Sequence, residues 1–82
     1  MAYLRNKEYL TAFGIHLKKL RTEKSISQSE LAFDCGMEIS QISRMERGLI
    51  NTSISNIYLI AVALKVHPKE LLDFKMADKK SK

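Results

Sequence analysis

The sequence is poor in the residues that build cross-linked, β-rich or membrane-spanning proteins. It has one cysteine, Cys35, so it forms no internal disulfide and no cysteine-based zinc finger. One proline and three glycines are too few for the many turns of a β-sandwich or barrel. No stretch approaches the roughly 18–20 uninterrupted apolar residues of a membrane span. The N-terminus MAYLRNKEYL is too charged for a signal-peptide core, so we expect a cytoplasmic protein.

What remains is the composition of one small globular domain. The chain has 82 residues, 45% hydrophobic and 28% charged, which is too hydrophobic for a disordered segment. We expect a folded domain at residues 1–74, with an N-terminal extension at residues 1–7, and a basic flexible tail at residues 75–82. The net charge of +5 favours a polyanionic partner, but the tail carries much of it. Charge therefore supports nucleic-acid binding without establishing it.

Hydrophobic spacing predicts an all-α fold of five short helices. The first helix covers about residues 8–24. Ser53 can cap the fourth helix, and Pro68 suits the first position of a short fifth helix that carries Leu71 and Leu72. The predicted inward stripes are Phe13, Leu17, Leu20 and Arg21 in the first helix and Ile54, Ile57, Ala61 and Leu64 in the fourth.

Residues 27–48 carry the pattern of a helix-turn-helix. Ser27 and Glu30 form an S-x-x-E capping box at the start of the second helix, and Gly36 suits the left-handed residue that ends it. A third helix follows at residues 39–47 and is closed by Gly48. Two short helices joined by a turn of three or four residues with a glycine make this motif. The predicted inward residues are Leu31, Ala32 and Cys35 in the second helix and Ile42 and Met45 in the third.

A longer ordered set of residues has the spacing of a known family. It consists of Phe13-Gly14, Leu17, Leu20-Arg21, Ser27-Gln28, Leu31-Ala32, Gly36, Ile42-Ser43-Arg44, Glu46-Arg47-Gly48, Ser53-Ile54, Ala61, Ala63-Leu64 and Val66. This set resembles the phage-repressor and Cro-type (XRE-like) helix-turn-helix family, including small single-domain controllers of restriction–modification genes. The resemblance covers about residues 13–72. It implies a lambda-repressor-like domain that binds DNA as a dimer, with the third helix in the major groove.

The resemblance also implies which residues meet the DNA. At the start of the second helix, Gln28 anchors a phosphate. On the third helix, Ile39, Ser40 and Arg44 face base edges, and Gln41 lies beside them. Arg47 and the loop through Asn51 touch the duplex backbone. The implied DNA-binding residues are Gln28, Ile39, Ser40, Gln41, Arg44, Arg47 and Asn51. Arg21 and Glu46 take the positions of the family's buried ion pair.

Elementary chemistry supports this assignment and leaves some alternatives open. Amides at helix N-termini attract phosphates, and Arg44 can bind the O6 and N7 atoms of guanine with two hydrogen bonds. Ile39 can contact a thymine methyl group or pack at the start of its helix. Arg44 as a solvated arginine and Gln28 as ordinary helix surface are the alternatives to DNA contact.

The chain departs from the family pattern at several helix ends. Glu38 occupies the N-cap of the third helix, where serine or threonine is usual, and glutamate caps poorly. Ser25 and Lys65 replace the glycines that commonly follow the first and fourth helices, so we expect those ends to be less tightly closed. His67 stands where serine or aspartate often caps the fifth helix.

The fourth helix is apolar on more than one face. Residues 57–64 are apolar throughout, and Leu59 and Val62 lie well away from the inward stripe. We expect a second copy of the chain to cover them in a two-fold dimer. The alternative cover is the N-terminal extension, through Tyr3 and Leu4. The predicted dimer surface consists of Leu59, Val62, Leu71 and Phe74.

The leading hypothesis is a sequence-specific DNA-binding transcriptional regulator that acts as a homodimer on an inverted-repeat operator, and autoregulation fits it. The alternative is an antitoxin-type or other protein-interaction module of the same fold, for which DNA binding is secondary. We expect no enzyme, because no Ser–His–acid set, glycine-rich phosphate loop or paired carboxylates emerge. His16 and His67 lack ligand-spaced neighbours, so we expect no metal; no cofactor, small-molecule ligand or membrane partner is expected either.

Overall fold

Five α-helices account for most of residues 6–76, the part of the chain that the computed structural model describes. They are α1 (Lys7–Glu23), α2 (Gln28–Cys35), α3 (Ile39–Glu46), α4 (Ile54–Leu64) and α5 (Pro68–Leu71). The predicted all-α architecture of five helices is confirmed, with no strand in this range. No helix among these residues is long and apolar enough to cross a membrane. The predicted cap by Tyr3 and Leu4, and all but the first two residues of the predicted tail, lie outside the described residues.

Local hydrogen bonds fix the ends of α2 as the sequence predicted. The Ser27 Oγ atom accepts a hydrogen bond from the Glu30 amide at 3.0 Å, and the Ser27 amide donates to Glu30 Oε1 at 2.8 Å. This reciprocal pair satisfies two amides that the helix itself cannot. Gly36 ends α2 with a φ of 70°, which glycine adopts without steric cost. Two short helices on either side of this turn therefore form the predicted helix-turn-helix.

The expected looseness of two other helix ends was wrong. Ser25 and Lys65 both adopt the left-handed conformation that a glycine would take, with φ of 58° and 60°. After Lys65, the Val66 amide donates to the Ala61 carbonyl at 3.0 Å, so the end of α4 is closed by hydrogen bonding. A left-handed residue other than glycine is strained by about 1 kcal/mol, and this strain lowers the stability of the folded state. His67 does cap α5, since its Nδ1 atom accepts from the Lys69 amide.

The core forms where α2 and α3 meet α1 and α4. All five inward residues predicted for the helix-turn-helix are buried. In α4 the predicted stripe needs correction: Ile54, in the first turn, is 80% exposed, whereas Ile60, in the middle of the helix, is fully buried. The buried apolar residues are Phe13, Leu17, Leu31, Ala32, Cys35, Ile42, Met45, Ile57, Ile60, Ala61, Leu64 and Leu71.

The single turn of α5 owes its position to Leu71. This side chain has no exposed surface and belongs to the core, where α5 packs on α4 and α1. The prediction that Leu71 contributes to a dimer surface is therefore wrong, because a side chain buried within its own protomer has nothing left to offer a second copy. His16 on α1 holds the same turn from outside, with its Nε2 atom 2.6 Å from the Glu70 carbonyl oxygen.

Helices α1 and α3 approach each other closely at Gly14. A Cβ atom at this position would overlap the backbone carbonyl oxygens of Met45 and Glu46, at the end of α3. Backbone atoms cannot rotate away as a flexible side chain can. Glycine is therefore required here by space, and the close approach brings the two helix backbones into direct contact.

A buried ion pair also joins α1 to the end of α3. The Arg21 Nε atom donates to Glu46 Oε2 at 2.6 Å, and Nη2 donates to Oε1 at 3.0 Å. The side chains are only 9% and 3% exposed, and the hydrogen bond to Glu46 raises the pKa of Arg21. Arg21 Nη1 also donates to the Ile26 carbonyl at 2.8 Å. One guanidinium thus connects α1, the segment before α2, and α3.

We expect Gly14→Ala to lower the free energy of unfolding by about 2 kcal/mol, because the added methyl group forces α1 away from α3. Alanine is otherwise preferred to glycine inside a helix by about 1 kcal/mol, so the expected sign opposes helix propensity. Urea unfolding followed by circular dichroism measures the change. Lys18→Ala, on the exposed face of α1, is the control. A more stable Gly14→Ala variant would contradict the close approach.

We expect Glu46→Ala to lower the free energy of unfolding by about 3–5 kcal/mol, because it leaves the Arg21 guanidinium buried without its counter-charge. The double variant Arg21→Met/Glu46→Leu removes both charges and should lose less than Glu46→Ala alone. Thermal melts of the two variants and the unaltered chain make the comparison. An unchanged melting temperature for Glu46→Ala would show that the pair contributes nothing to stability.

Candidate nucleic-acid interface

The outward face of α3 is the centre of the candidate interface. The helix buries Ile42, Met45 and Glu46, and with 3.6 residues per turn the opposite face is centred on Ser40 and Arg44. Both of these side chains are exposed. The predicted base-reading serine and arginine therefore lie one turn apart on a surface that a groove can receive.

Two other predicted residues border this face. Ile39, in the first turn of α3, is 49% exposed, so its side chain is accessible and not part of the core. Gln41 lies at the opposite edge and is half-buried. Glu38 precedes α3 as its N-cap and makes no capping hydrogen bond with its side chain. Its carboxylate is thus an exposed negative charge at the start of the helix.

The segment after α3 continues the candidate surface. Arg47 is exposed and its Nε atom donates to the Ser43 carbonyl at 3.4 Å. Gly48 follows with a φ of 72°, and the Leu49 amide donates back to the Arg44 carbonyl at 2.9 Å. Asn51, the last predicted backbone contact, is exposed. A hydrogen-bonded turn therefore leads directly from the face of α3 into the loop.

Gln28 is placed differently from a free surface glutamine. It is the first residue of α2 and is half-buried. Its Nε2 atom donates to Glu46 Oε1 at 2.9 Å, which ties it to the ion pair. The spacing of the sequence gave no sign of this contact, since the two residues are 18 positions apart. A phosphate contact by Gln28 stays a prediction.

Ser43 and Leu49, next to the candidate surface, were not among the DNA-binding residues predicted from the sequence. Ser43 is half-buried on α3, three positions after Ser40 and four after Ile39. That spacing places it on the same side of the helix, and it was a usable signal. Leu49 is 47% exposed directly after the closing glycine, where no helical period applies and no signal was available.

The outward face of α4 is the second exposed surface of interest. Leu59 and Val62 are 41% and 55% exposed, and the exposed Tyr58 lies beside Val62 at a spacing of four residues. Phe74 is only partly available, because its ring centroid lies 5.0 Å from that of Tyr9 and 5.5 Å from that of His16. We call Tyr58, Leu59 and Val62 the α4 face.

The chain's one cysteine, Cys35, lies in the core. Burial, followed by the charge of Asp34, raises the pKa of the Cys35 thiol. Its Sγ atom lies 3.7 Å from the Leu59 carbonyl oxygen, so the thiol serves as a small core group. Among residues 6–76 no three histidine, cysteine, aspartate or glutamate side chains come together as metal ligands.

Comparison with known proteins agrees with the helix-turn-helix fold. The sequence profile of the helix-turn-helix family matches residues 17–71. The chain is 48% identical over 63 residues to the control protein C.BamHI of Bacillus amyloliquefaciens, which is 76% of this chain and 78% of that protein.

Solved structures of similar proteins support the same family assignment. The restriction-modification controller protein C.AhdI of Aeromonas hydrophila superposes with a TM-score of 0.75 at 45% identity, covering 76% of this chain and 94% of that chain. SinR, a master regulator for biofilm formation whose structure was solved in complex with DNA, superposes with a TM-score of 0.70 at 39% identity, covering 74% of this chain and 98% of that one. On its sequence, its fold and these relatives, the chain belongs to the XRE-like helix-turn-helix family.

Proposed function

We propose that the chain is a sequence-specific DNA-binding transcriptional regulator. The observation that carries this proposal is the exposed face of α3, where Ser40 and Arg44 project side by side from a helix-turn-helix. The relatives support it, since they include a control protein, a restriction–modification controller and a regulator crystallised with DNA. The proposal assigns no catalytic activity. As a regulator of genes, the protein works in the cytoplasm.

In this proposal α3 lies in the major groove. Arg44 donates two hydrogen bonds to the O6 and N7 atoms of a guanine, and Ile39 contacts a thymine methyl group. Ser40 and Gln41 add polar contacts to neighbouring base edges. These contacts read sequence because each base pair presents a distinct pattern of donors, acceptors and methyl groups in this groove.

Contacts to the DNA backbone set the depth and register of α3. Gln28 and the amides at the start of α2 hold one phosphate, since helix N-termini attract anions. Arg47 and the loop through Asn51 hold the backbone on the far side of α3. These contacts position the protein on any duplex and leave discrimination to α3.

We further propose that two copies of the chain bind an inverted repeat. The α4 face is the two-fold contact, because it is apolar and exposed. In a two-fold dimer the same patch of each copy meets the other, so the α4 face of one copy packs on the α4 face of its partner. The two α3 helices then enter major grooves about one helical turn apart, roughly 10 bp between half-site centres. Because only the dimer spans both half-sites, occupancy rises steeply with protein concentration.

The biological role that best fits these features is control of restriction–modification genes, with the chain acting on its own promoter region. Its support is the likeness to C.BamHI and C.AhdI. The alternative role is that of an antitoxin-type or other interaction module of the same fold, for which the α4 face receives a different protein. The exposed leucine and valine of that face favour this alternative as much as a dimer, so the oligomeric state separates the two.

Arg44→Ala is expected to weaken binding to DNA from upstream of the chain's own gene and to relax preference at one base position, with a loss of about 1–3 kcal/mol of discrimination. Fluorescence anisotropy with single-base variants of that DNA measures both effects. Lys19→Ala, on the outward face of α1, is the charge-matched control. Equal loss on all sequences would reassign Arg44 to a phosphate contact, and no binding by the unaltered chain to any duplex would refute the function.

Val62→Glu is expected to convert the dimer to a monomer, because it places two carboxylates against each other in an apolar contact. Sedimentation velocity measures the oligomeric state. Phe33→Glu is the control, since Phe33 is 86% exposed on α2, outside both the α4 face and the groove beside Phe74. A monomeric unaltered chain at micromolar concentration would favour the interaction-module alternative over the dimer.

A further inference from the structure

We propose that Glu46 is a positioning residue for DNA binding, in addition to its place in the fold. Held by Arg21, its carboxylate orients the side-chain amide of Gln28 toward a phosphate of the DNA. This inference rests on the proposed function. It concerns the one side chain of the candidate interface that is tied to the buried ion pair.

The first step is that the carboxylate of Glu46 is fixed. Two hydrogen bonds from Arg21 hold both of its oxygens, and the side chain is 3% exposed. It lies at the last residue of α3, where Gly14 has already brought the α1 backbone against the α3 backbone. An acceptor in such a place has one position, unlike a surface carboxylate that samples several.

The second step is that this carboxylate determines which way the Gln28 amide points. A carboxylate only accepts hydrogen bonds, so it selects the Nε2 end of the amide, at 2.9 Å from Oε1. Glutamine on an open helix surface loses side-chain freedom when it binds a ligand. For Gln28 that ordering is already part of the folded state, so binding meets a preformed donor.

The third step is that the amide keeps a donor for DNA. Its NH2 group carries two hydrogens, of which Glu46 takes one. Gln28 begins α2, and the capping box takes up the backbone amides of Ser27 and Glu30. The Gln28 side chain and the backbone amides of Gln28 and Ser29 are therefore the donors that a phosphate meets at this helix start.

The fourth step concerns charge. A carboxylate under a phosphate would repel it, yet Glu46 sits one hydrogen bond from the proposed phosphate contact. The guanidinium of Arg21 bonded to both oxygens neutralises this charge locally. The pair of Arg21 and Glu46 therefore gives Gln28 an acceptor of fixed orientation, and it leaves no net negative charge beneath the DNA.

The test is a double-mutant cycle on DNA affinity with Gln28→Ala, the paired change Arg21→Met/Glu46→Leu, and all three substitutions combined. Anisotropy is measured on DNA from upstream of the chain's own gene and on a random duplex of equal length, across a salt series. We expect Gln28→Ala to weaken binding to both duplexes about tenfold, as for loss of a hydrogen bond to a charged group. The salt slope should stay unchanged, because the amide carries no charge, whereas Arg47→Ala should reduce it by about one.

The paired change Arg21→Met/Glu46→Leu removes the acceptor without changing the net charge, and it should weaken binding by a similar factor per folded molecule, with the folded fraction taken from circular dichroism. The combined variant should lose no more than Gln28→Ala alone, because both changes remove the same contact. Two results would overturn the proposal: an unchanged affinity per folded molecule for the paired change, or losses that multiply in the combined variant. If Gln28→Ala binds normally while Arg44→Ala does not, this inference fails and the proposed function stands.

A measurement on the unaltered chain covers the case in which Arg21→Met/Glu46→Leu folds too poorly. In NMR spectra of the side-chain amides, one Gln28 proton should exchange slowly with water in the free protein, and the other should shift when the random duplex is added. Gln41 is the internal comparison. Rapid exchange of both Gln28 protons, or no Gln28 shift at a DNA concentration that shifts the amides of α3, would also overturn the proposal.

Discussion

The bond between Arg21 and Glu46 is the interaction on which the arrangement of this small protein depends. It joins the first helix to the end of the third, and through the Ile26 carbonyl it also holds the chain that leads into the second. A buried pair is costly to desolvate, and it stabilises a fold only when its hydrogen bonds are fully made. Here they are made on both oxygens, and Gln28 adds a third donor. This network therefore contributes, together with apolar packing, to the relative position of α2 and α3.

The candidate interface gains little from overall charge. Arg44 and Arg47 are exposed, while Glu38 at the start of α3 is also exposed and makes no capping hydrogen bond with its side chain. A surface of mixed charge has weak attraction for duplex DNA in general, because non-specific affinity grows with the number of phosphates neutralised. Such a surface has to rely on geometry. A few donors held rigidly in register can separate one sequence from another even where electrostatic attraction is modest.

The features of the fold that depend on neighbouring residues could be predicted from the sequence. The contacts between residues far apart in the chain could not. The capping box at Ser27 and the left-handed Gly36 depend on neighbours within three residues, and the reading face of α3 follows from helical period alone. Ile60 and Leu71 were misjudged because their burial is decided by how α5 and α2 lie on α4. The resemblance to the family predicted the ion pair of Arg21 and Glu46. It did not predict the hydrogen bond from Gln28 to Glu46, because that bond joins α2 to α3, which only folding brings together.

The left-handed residues at Ser25 and Lys65 have a consequence for how long each molecule survives. Both positions carry strain that glycine would relieve, so the chain is less stable than its own helix ends permit. Proteases act on the transiently opened form, whose population follows the free energy of unfolding. In the proposed dimeric regulator, whose occupancy of DNA rises steeply with its concentration, degradation then matters as much as synthesis. The helix ends at Ser25 and Lys65, which lie outside α3, would in that regulator affect the steady-state abundance of the protein, and with it the threshold at which its genes respond.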